Sequence, residues 1–373
     1  MRYLFIAILI SCSISAIPPR AKYSIVIDAG STGSRIFVFE LKKEGPKQKG
    51  MLKEKKTGGI HTAIKDLSKL SLFLDPLINF VKKELKDQLF ETPVYFRATG
   101  GMRSLQPAEQ QRVSQAIESF LKNAGFNSVS VEVISGAYEG IYAWIAANYA
   151  LKKLDNNTKS ETYGIIDMGG VSAQITFAPL ETPKEHGYQL ELGKNTFDLY
   201  SYSYDELGVY SALKTFKNPN CFNHGFKENP DLQGSLSKCK RGISAALLRK
   251  DIYQPKLRGD FVALEGFPRL TKIIPLSNFS SSVLDQSGEQ LCRMKWSTVQ
   301  TTYTKIEEPE LLPFGCFAMA YYSQLLTAYG FTPTSAKILT FDKIDDQDVS
   351  IALGVAAYEN WGGKISLLPQ AEN

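Results

Sequence analysis

Ile27-Asp28-Ala29-Gly30-Ser31-Thr32-Gly33-Ser34-Arg35-Ile36-Phe37-Val38-Phe39-Glu40 is the stretch on which the fold turns. Residues 23–28 are an apolar run ending on an acid, which predicts a buried strand. Residues 29–34 are small and polar, which predicts a tight turn, and 35–40 predict the returning strand of a hairpin. The unit recurs further along the chain. Residues 163–167 predict a strand, 168–173 a glycine-rich turn and 174–177 a second returning strand. One constant offset relates Asp28 to Asp167, Gly30 to Gly169 and Ile36 to Ile175. A repeat spaced this widely marks a duplicated lobe, not a solenoid.

Each turn carries an Asp at a strand end, then glycines and hydroxyl residues. Small residues let backbone N–H groups approach an oxyanion, and Ser or Thr adds donors. Asp28 and Asp167 offer hard oxygen ligands suited to Mg2+ or Ca2+, held through the ion's water shell. Two such loops facing each other would clamp a phosphate chain between lobes.

The rest of the chain is consistent with an α/β protein of two lobes. It has 373 residues, 43% of them hydrophobic and 22% charged, which suits two domains and excludes a disordered tail, a collagen or a coiled coil. The net charge of +5 is spread over both signs without clustering, so nucleic-acid binding is not expected. Only His61, His186 and His224 are present, too few and too far apart for a His-rich zinc site. Residues 93–98 and 129–134 predict strands, and 107–123 and 139–151 predict helices. Further signals cover 261–264, 314–328 and 336–341. The basic segment 42–59 is expected to be a solvated loop, and 200–240 yields no assignable elements.

Residues 1–15 have a basic start, a short apolar run and a small-residue exit, with Ser13 and Ser15 before Ala16, as in a secretory signal peptide. A bacterial lipoprotein signal lipidated at Cys12 is the alternative. No later run reaches the roughly 20 apolar residues of a membrane helix. Cys221, Cys239, Cys292 and Cys316 then remain, and neighbours are expected to pair, Cys221–Cys239 and Cys292–Cys316. Asn156-Asn157-Thr158 and Asn278-Phe279-Ser280 fit the N-glycosylation pattern.

Four ordered blocks resemble the nucleoside triphosphate diphosphohydrolases, or apyrases, of the actin-like ATPase superfamily. They cover 27–40, 97–105 (Arg-Ala-Thr-Gly-Gly-Met-Arg-Ser-Leu), 134–149 and 165–177, with a thinner fifth block at 352–358. The resemblance implies two actin-like, ribonuclease H-like lobes with a nucleotide cleft between them. It places the first lobe at 22–148, completed by 353–373, and the second at 149–352. It implies Glu139 as the catalytic base and Ser172 and Gln174 as holders of the attacking water. Asp28, Asp167 and Thr99 would serve the metal through water. Ser31, Thr32, Gly33, Ser34, Arg35, Gly169, Gly170 and Val171 would bind phosphate, and Tyr321 the base. Arg35 and Arg103 read equally as phosphate ligands or ion-pair partners.

Three positions depart from the family pattern: Gly100 replaces an Ala, Tyr138 an acid, and Ile351 stands near a usual Trp. Gly33, where the membrane-anchored branch tends to have His, fits a soluble branch. The expected activity is secreted or periplasmic, Mg2+- or Ca2+-dependent hydrolysis of nucleoside tri- and diphosphates by a monomer. The alternatives are an exopolyphosphatase or guanosine pentaphosphate phosphatase, and a non-catalytic actin-like nucleotide-binding module. The former usually shows Asn after the first Ser and Glu at the place of Gln174. The latter would tolerate loss of Glu139, Ser172 or Gln174, and all three are present.

Overall fold

The computed structural model describes residues 21–54, 59–154, 162–250, 252–304, 306, 308–332 and 336–369. The expected signal segment with Cys12 and the sequon Asn156-Asn157-Thr158 lie outside these residues.

The first sheet contains β1 (Tyr23–Ala29), β2 (Ser34–Lys42), β3 (Gly45–Glu54), β4 (Val94–Ala98) and β5 (Val129–Val133), in the order β3-β2-β1-β4-β5. β1 is antiparallel to β2 and parallel to β4. β3 is a correction to the loop expected over 42–59. Its Lys-rich sequence has no apolar alternation, yet it pairs along β2 as an edge strand, where exposed lysines discourage further pairing. Helices α1 (Leu70–Leu85), α2 (Gly100–Arg103) and α3 (Pro107–Asn123) follow the strands of this lobe. Ile25, Ile27, Ile36 and Val38 pack outward against α1 and α3.

Helix α4 (Gly136–Ala150) leads to the second lobe. There β6 (Gly164–Met168), β7 (Ser172–Phe177), β8 (Gly187–Leu192) and β9 (Asn195–Asp205) are antiparallel neighbours in the order β6-β7-β9-β8. Helices α5 (Val209–Phe216) and α6 (Leu236–Leu247) precede β10 (Phe261–Glu265), which lies parallel to β6. Then come α7 (Gly266–Thr271), α8 (Ser281–Arg293), α9 (Trp296–Thr302) and α10 (Gly315–Ala328). Strand β11 (Ile338–Thr340) extends the sheet beside β10, and β12 (Lys343–Ile344) with β13 (Gln347–Asp348) forms a small hairpin. The duplication is visible in this topology. Each lobe has a central strand, β1 or β6, with an antiparallel hairpin on one side and parallel strands on the other.

The segment expected to complete the first lobe divides. Helix α11 (Ile351–Asn360) contacts β1, β3 and α4, whereas β14 (Lys364–Leu367) pairs with β8 at the edge of the second sheet. Helices α4 and α11 lie between the two sheets, in one core with Val26, Phe37 and Phe39 on one side and Ile165 and Leu190 on the other. Ile141, Trp144 and Ile145 are buried there, but so are Tyr142, Ala143 and Ala146. An all-round apolar helix is one covered on every side. Cys221–Cys239 and Cys292–Cys316 are both bonded, as the neighbour pairing expects. They tie the helices of the second lobe, where the sequence was hardest to read.

Candidate active site

Strand alternation aims the two aspartates at each other's lobe. Val26 faces the inter-sheet core, so Asp28, two residues on, shares that face. Ile165 does the same for Asp167. The turns that follow close alike: Gly30 N–H donates to Gly33 O, and Gly169 N–H to Ser172 O, each at 3.0 Å. The second turn is braced by the start of α5. Gly208, Val209 and Tyr210 N–H groups donate to the carbonyls of Val171, Gly169 and Gly170. Gly208 is required for that approach, since a Cβ would lie 2.3 Å from the Val171 carbonyl carbon.

The turns open onto a cleft of about 310 Å³ between the lobes. Asp28, Ser31, Thr32, Gly33, Ser34, Arg35, Thr99, Glu139, Asp167, Gly169, Gly170, Val171 and Ser172 all line it. Gln174 sits behind this wall, fully buried, and its Nε2 donates to Ser172 Oγ at 2.9 Å and Ser203 Oγ at 3.0 Å. Its Oε1 has no hydrogen-bond partner among the described residues. Arg103 joins the remaining polar groups. It donates to Glu139 Oε2 at 2.8 Å, to Ser172 Oγ at 3.2 Å and to Asp205 Oδ1 at 3.5 Å. Of its two sequence readings, the structure gives the ion-pair one.

Tyr321 is a correction. It is fully buried, stacks on Phe317 and donates its hydroxyl to Leu207 O at 2.5 Å. It has no face on the cleft, because the apolar helix α10 is buried on nearly every side and turns it into the core. Its neighbour Tyr322 instead lines a small apolar slot with Tyr210, Leu270, Phe314 and Phe317, open to the cleft beside Arg269. Sequence reading also missed Glu265. Its carboxylate receives Arg35 in a two-pronged pair at 2.5 and 2.9 Å from across the cleft. The available signal was an acid ending the otherwise apolar strand Phe261-Val262-Ala263-Leu264, followed by Gly266.

Burial sets the electrostatics. It pushes Asp28 up to about 7 against the opposing charge of Arg35. It raises Asp167 well above the ordinary range, with Glu265 and Glu139 adding repulsion. Glu139 is also raised by burial, with Arg103 opposing. For Glu265 burial acts in the same direction, but the paired Arg35 overcomes it and holds the carboxyl well below its usual value. Asp167 Oδ1 is buried without a hydrogen-bond partner among the described residues. Two buried carboxylates that resist ionisation, one with an orphaned oxygen, fit a cation placed between them. Among the described residues no three His, Cys, Asp or Glu side chains could hold a metal ion by themselves. The donor set therefore suits a hydrated hard cation rather than a closed protein cage.

Fold and site together define a two-lobed α/β protein with a polar cleft at a duplicated Asp-x-Gly turn. The chain belongs to the GDA1/CD39 (nucleoside phosphatase) family, whose profile matches residues 15–261 and 238–361. It is similar to probable apyrase 6 of Arabidopsis thaliana, 30% identical over 369 residues that span 82% of this chain and 66% of that one. Ectonucleoside triphosphate diphosphohydrolase 1 of Bos taurus is 27% identical over 418 residues, 91% of this chain and 81% of that one. Among solved structures, nucleoside triphosphate hydrolases from Neospora caninum superpose with a TM-score of 0.62 at 13% identity, covering 91% of this chain and 93% of that one. A Ppx/GppA family member from Aquifex aeolicus gives 0.58 at 14% identity, covering 90% and 97%. At these identities the two structures speak for the fold alone.

Proposed function

We propose that this protein is a secreted, divalent-cation-dependent hydrolase that removes the terminal phosphate of nucleoside tri- and diphosphates by direct attack of water. One observation carries the reading: Glu139 and Ser172 are joined by Arg103 in the lining of a cleft that Asp28 and Asp167 also line, and Gln174 holds Ser172 from behind. Family membership and relatives named as apyrases favour nucleotides over inorganic polyphosphate as substrate. The whole cleft comes from one chain, which suits a monomer.

In this reading the turns at 31–35 and 169–171 hold the phosphates through those backbone N–H groups that the turns leave free and through their hydroxyls. Asp28 and Asp167, with Thr99 behind them, would hold a hydrated Mg2+ or Ca2+. Bound there, the cation would neutralise phosphate charge. The attacking water would sit against Ser172 Oγ and Glu139, with Gln174 acting from behind through its hydrogen bond to the Ser172 hydroxyl. The water oxygen bonds to the terminal phosphorus as the bridging P–O bond breaks. Its proton passes to the Glu139 carboxylate, and the leaving group is the nucleotide shortened by one phosphate. Positioning and charge neutralisation then provide most of the rate enhancement. Neither turn offers a nucleophile with a base beside it, so no phosphoenzyme is needed. The base would occupy the apolar slot beside Tyr210 and Tyr322, where an aromatic face can stack on it.

Secretion is supported by the two disulfides, since such bonds persist in oxidising compartments. No helix among the described residues is long and apolar enough to cross a membrane. Anchoring through a lipid on Cys12 is the alternative to free release. The test is phosphate release by purified protein from ATP, ADP, UDP and inorganic polyphosphate, with Mg2+, with Ca2+ and with EDTA. Cation-dependent release from the nucleotides is expected. Release from polyphosphate alone, or full activity in EDTA, would overturn the proposal.

A further inference from the structure

Arg35 and Asp28 are directly opposite one another on β1 and β2. An opposite-charge pair so placed ordinarily closes on itself. Here it does not. Arg35 Nη1 stays 4.0 Å from Asp28 Oδ2 while both arms of the guanidinium reach Glu265 of the other lobe, at 2.5 and 2.9 Å. The second lobe supplies the comparison. In the same register, Asp167 faces Gln174, a neutral amide that turns to Ser172 and Ser203 instead. Asp167 Oδ1 is thereby left without a partner among the described residues. Asp167 thus has an uncharged cross-strand neighbour, and Asp28 keeps only a long ion pair with one whose guanidinium is drawn to the other lobe.

The backbone of Glu265 shows that this diversion is built in. Phe261 and Ala263 on β10 face the outer helices, so alternation would place residue 265 on that same face. Glu265 departs from strand geometry, with φ +55 and ψ −96, and its carboxylate meets Arg35 in the cleft. A non-glycine residue in the left-handed region is a strained one that its surroundings must hold in place.

We infer that Glu265 is a positioning residue that sequesters Arg35 and so keeps the Asp28 carboxylate open to the cation. The inference rests on the cation-dependent reading above. Without the Glu265 charge, Arg35 has Asp28 as its nearest acid, and closing the remaining gap would place the guanidinium where the cation's water shell belongs. Arg cannot shed its proton to relieve the conflict.

The test measures cation binding directly, by Mn2+ titration followed by electron paramagnetic resonance, with a non-hydrolysable ATP analogue bound. The parent is measured first, together with its phosphate release. If the parent neither hydrolyses nucleotides nor binds Mn2+, the functional reading itself fails, and this inference with it. Given a functional parent, Glu265→Gln should weaken Mn2+ binding at least tenfold while most of kcat returns at saturating cation. Adding Arg35→Ala should restore Mn2+ affinity to that of Arg35→Ala alone, a rescue that a merely structural Glu265 would not show. Mn2+ affinity in Glu265→Gln within threefold of the parent, or a double variant no tighter than Glu265→Gln, would overturn the inference. Should Glu265→Gln not fold, Glu265→Asp serves in its place. A weakening of at least threefold, relieved by Arg35→Ala, is then expected, and no weakening refutes the role.

Discussion

Replacing Gly140 by alanine is expected to separate catalysis from folding. Gly140 follows Glu139 on α4 and lies directly on β7 and β9. A Cβ there would stand 2.4 Å from Thr176 Oγ1 and 2.8 Å from Ser201 Oγ. That is about 1 Å inside ordinary contact. Neither hydroxyl can turn away cheaply. They hydrogen-bond to each other at 2.7 Å, and Ser201 donates to Ala137 O of the same helix at 2.8 Å. The helix must therefore lift, and Glu139 lifts with it. Overpacking of this kind costs about 1–3 kcal/mol. The better helix propensity of alanine returns about 1 kcal/mol. The net loss is about 0–2 kcal/mol, small enough to leave the protein folded. The rate should suffer more, because a misplacement of about 1 Å can cost roughly 100-fold. Steady-state phosphate release and a thermal melt on the same preparation measure both effects. Turnover within threefold of the parent would refute the claim that packing of α4 on the second sheet places Glu139.

Removing either disulfide by paired Cys→Ser substitution should cost about 3 kcal/mol, read from denaturant melts under non-reducing conditions. The cation-free protein should lose stability as pH rises. Asp28 is raised in the folded chain from 3.8 to about 7, so its contribution is fully present below 3.8 and lost as pH climbs through 7. The loss is on the order of 4 kcal/mol. Thermal melts at pH 5 and pH 8, with and without Mg2+, check it, and Mg2+ should recover stability only at the higher pH. Ser172→Ala removes the acceptor shared by Gln174 and Arg103. It should lower kcat by about 10- to 100-fold with little change in KM, because an interaction made mainly in the transition state is lost.

The strands that carry the site were legible because each ends an apolar run on a polar residue, and the Asp28 and Asp167 turns repeat under one offset. The two disulfide pairs were legible for a different reason: a signal-like start leaves four cysteines, and the expectation of export favours closing short loops. What escaped notice lacked a local signal. The strand Gly45–Glu54 is held by its partner β2, and its own lysine-rich sequence carries no alternation. Glu265 acts through a residue 230 positions away, and no periodicity can announce a contact between lobes. The base role of Tyr321 is what the family resemblance implies, and the residue types alone do not separate it from a core position. Tyr321 and Tyr322 differ by one step around the helix, and only tertiary packing decides which of them faces the slot. The resemblance implies that Gln174 positions the water, and no local signal in the sequence announces that it lies buried behind Ser172.

The central claim is that Glu139 takes the proton of the attacking water. Glu139→Gln keeps the shape and replaces the carboxylate by an amide that cannot accept a proton. Phosphate release from ATP under saturating Mg2+, paired with calorimetric binding of a non-hydrolysable analogue, measures the two consequences separately. Turnover should fall by about 10²–10⁴, while affinity for the analogue stays within a few-fold of the parent. Turnover within threefold of the parent, or an equal loss of binding and rate, would contradict the assignment.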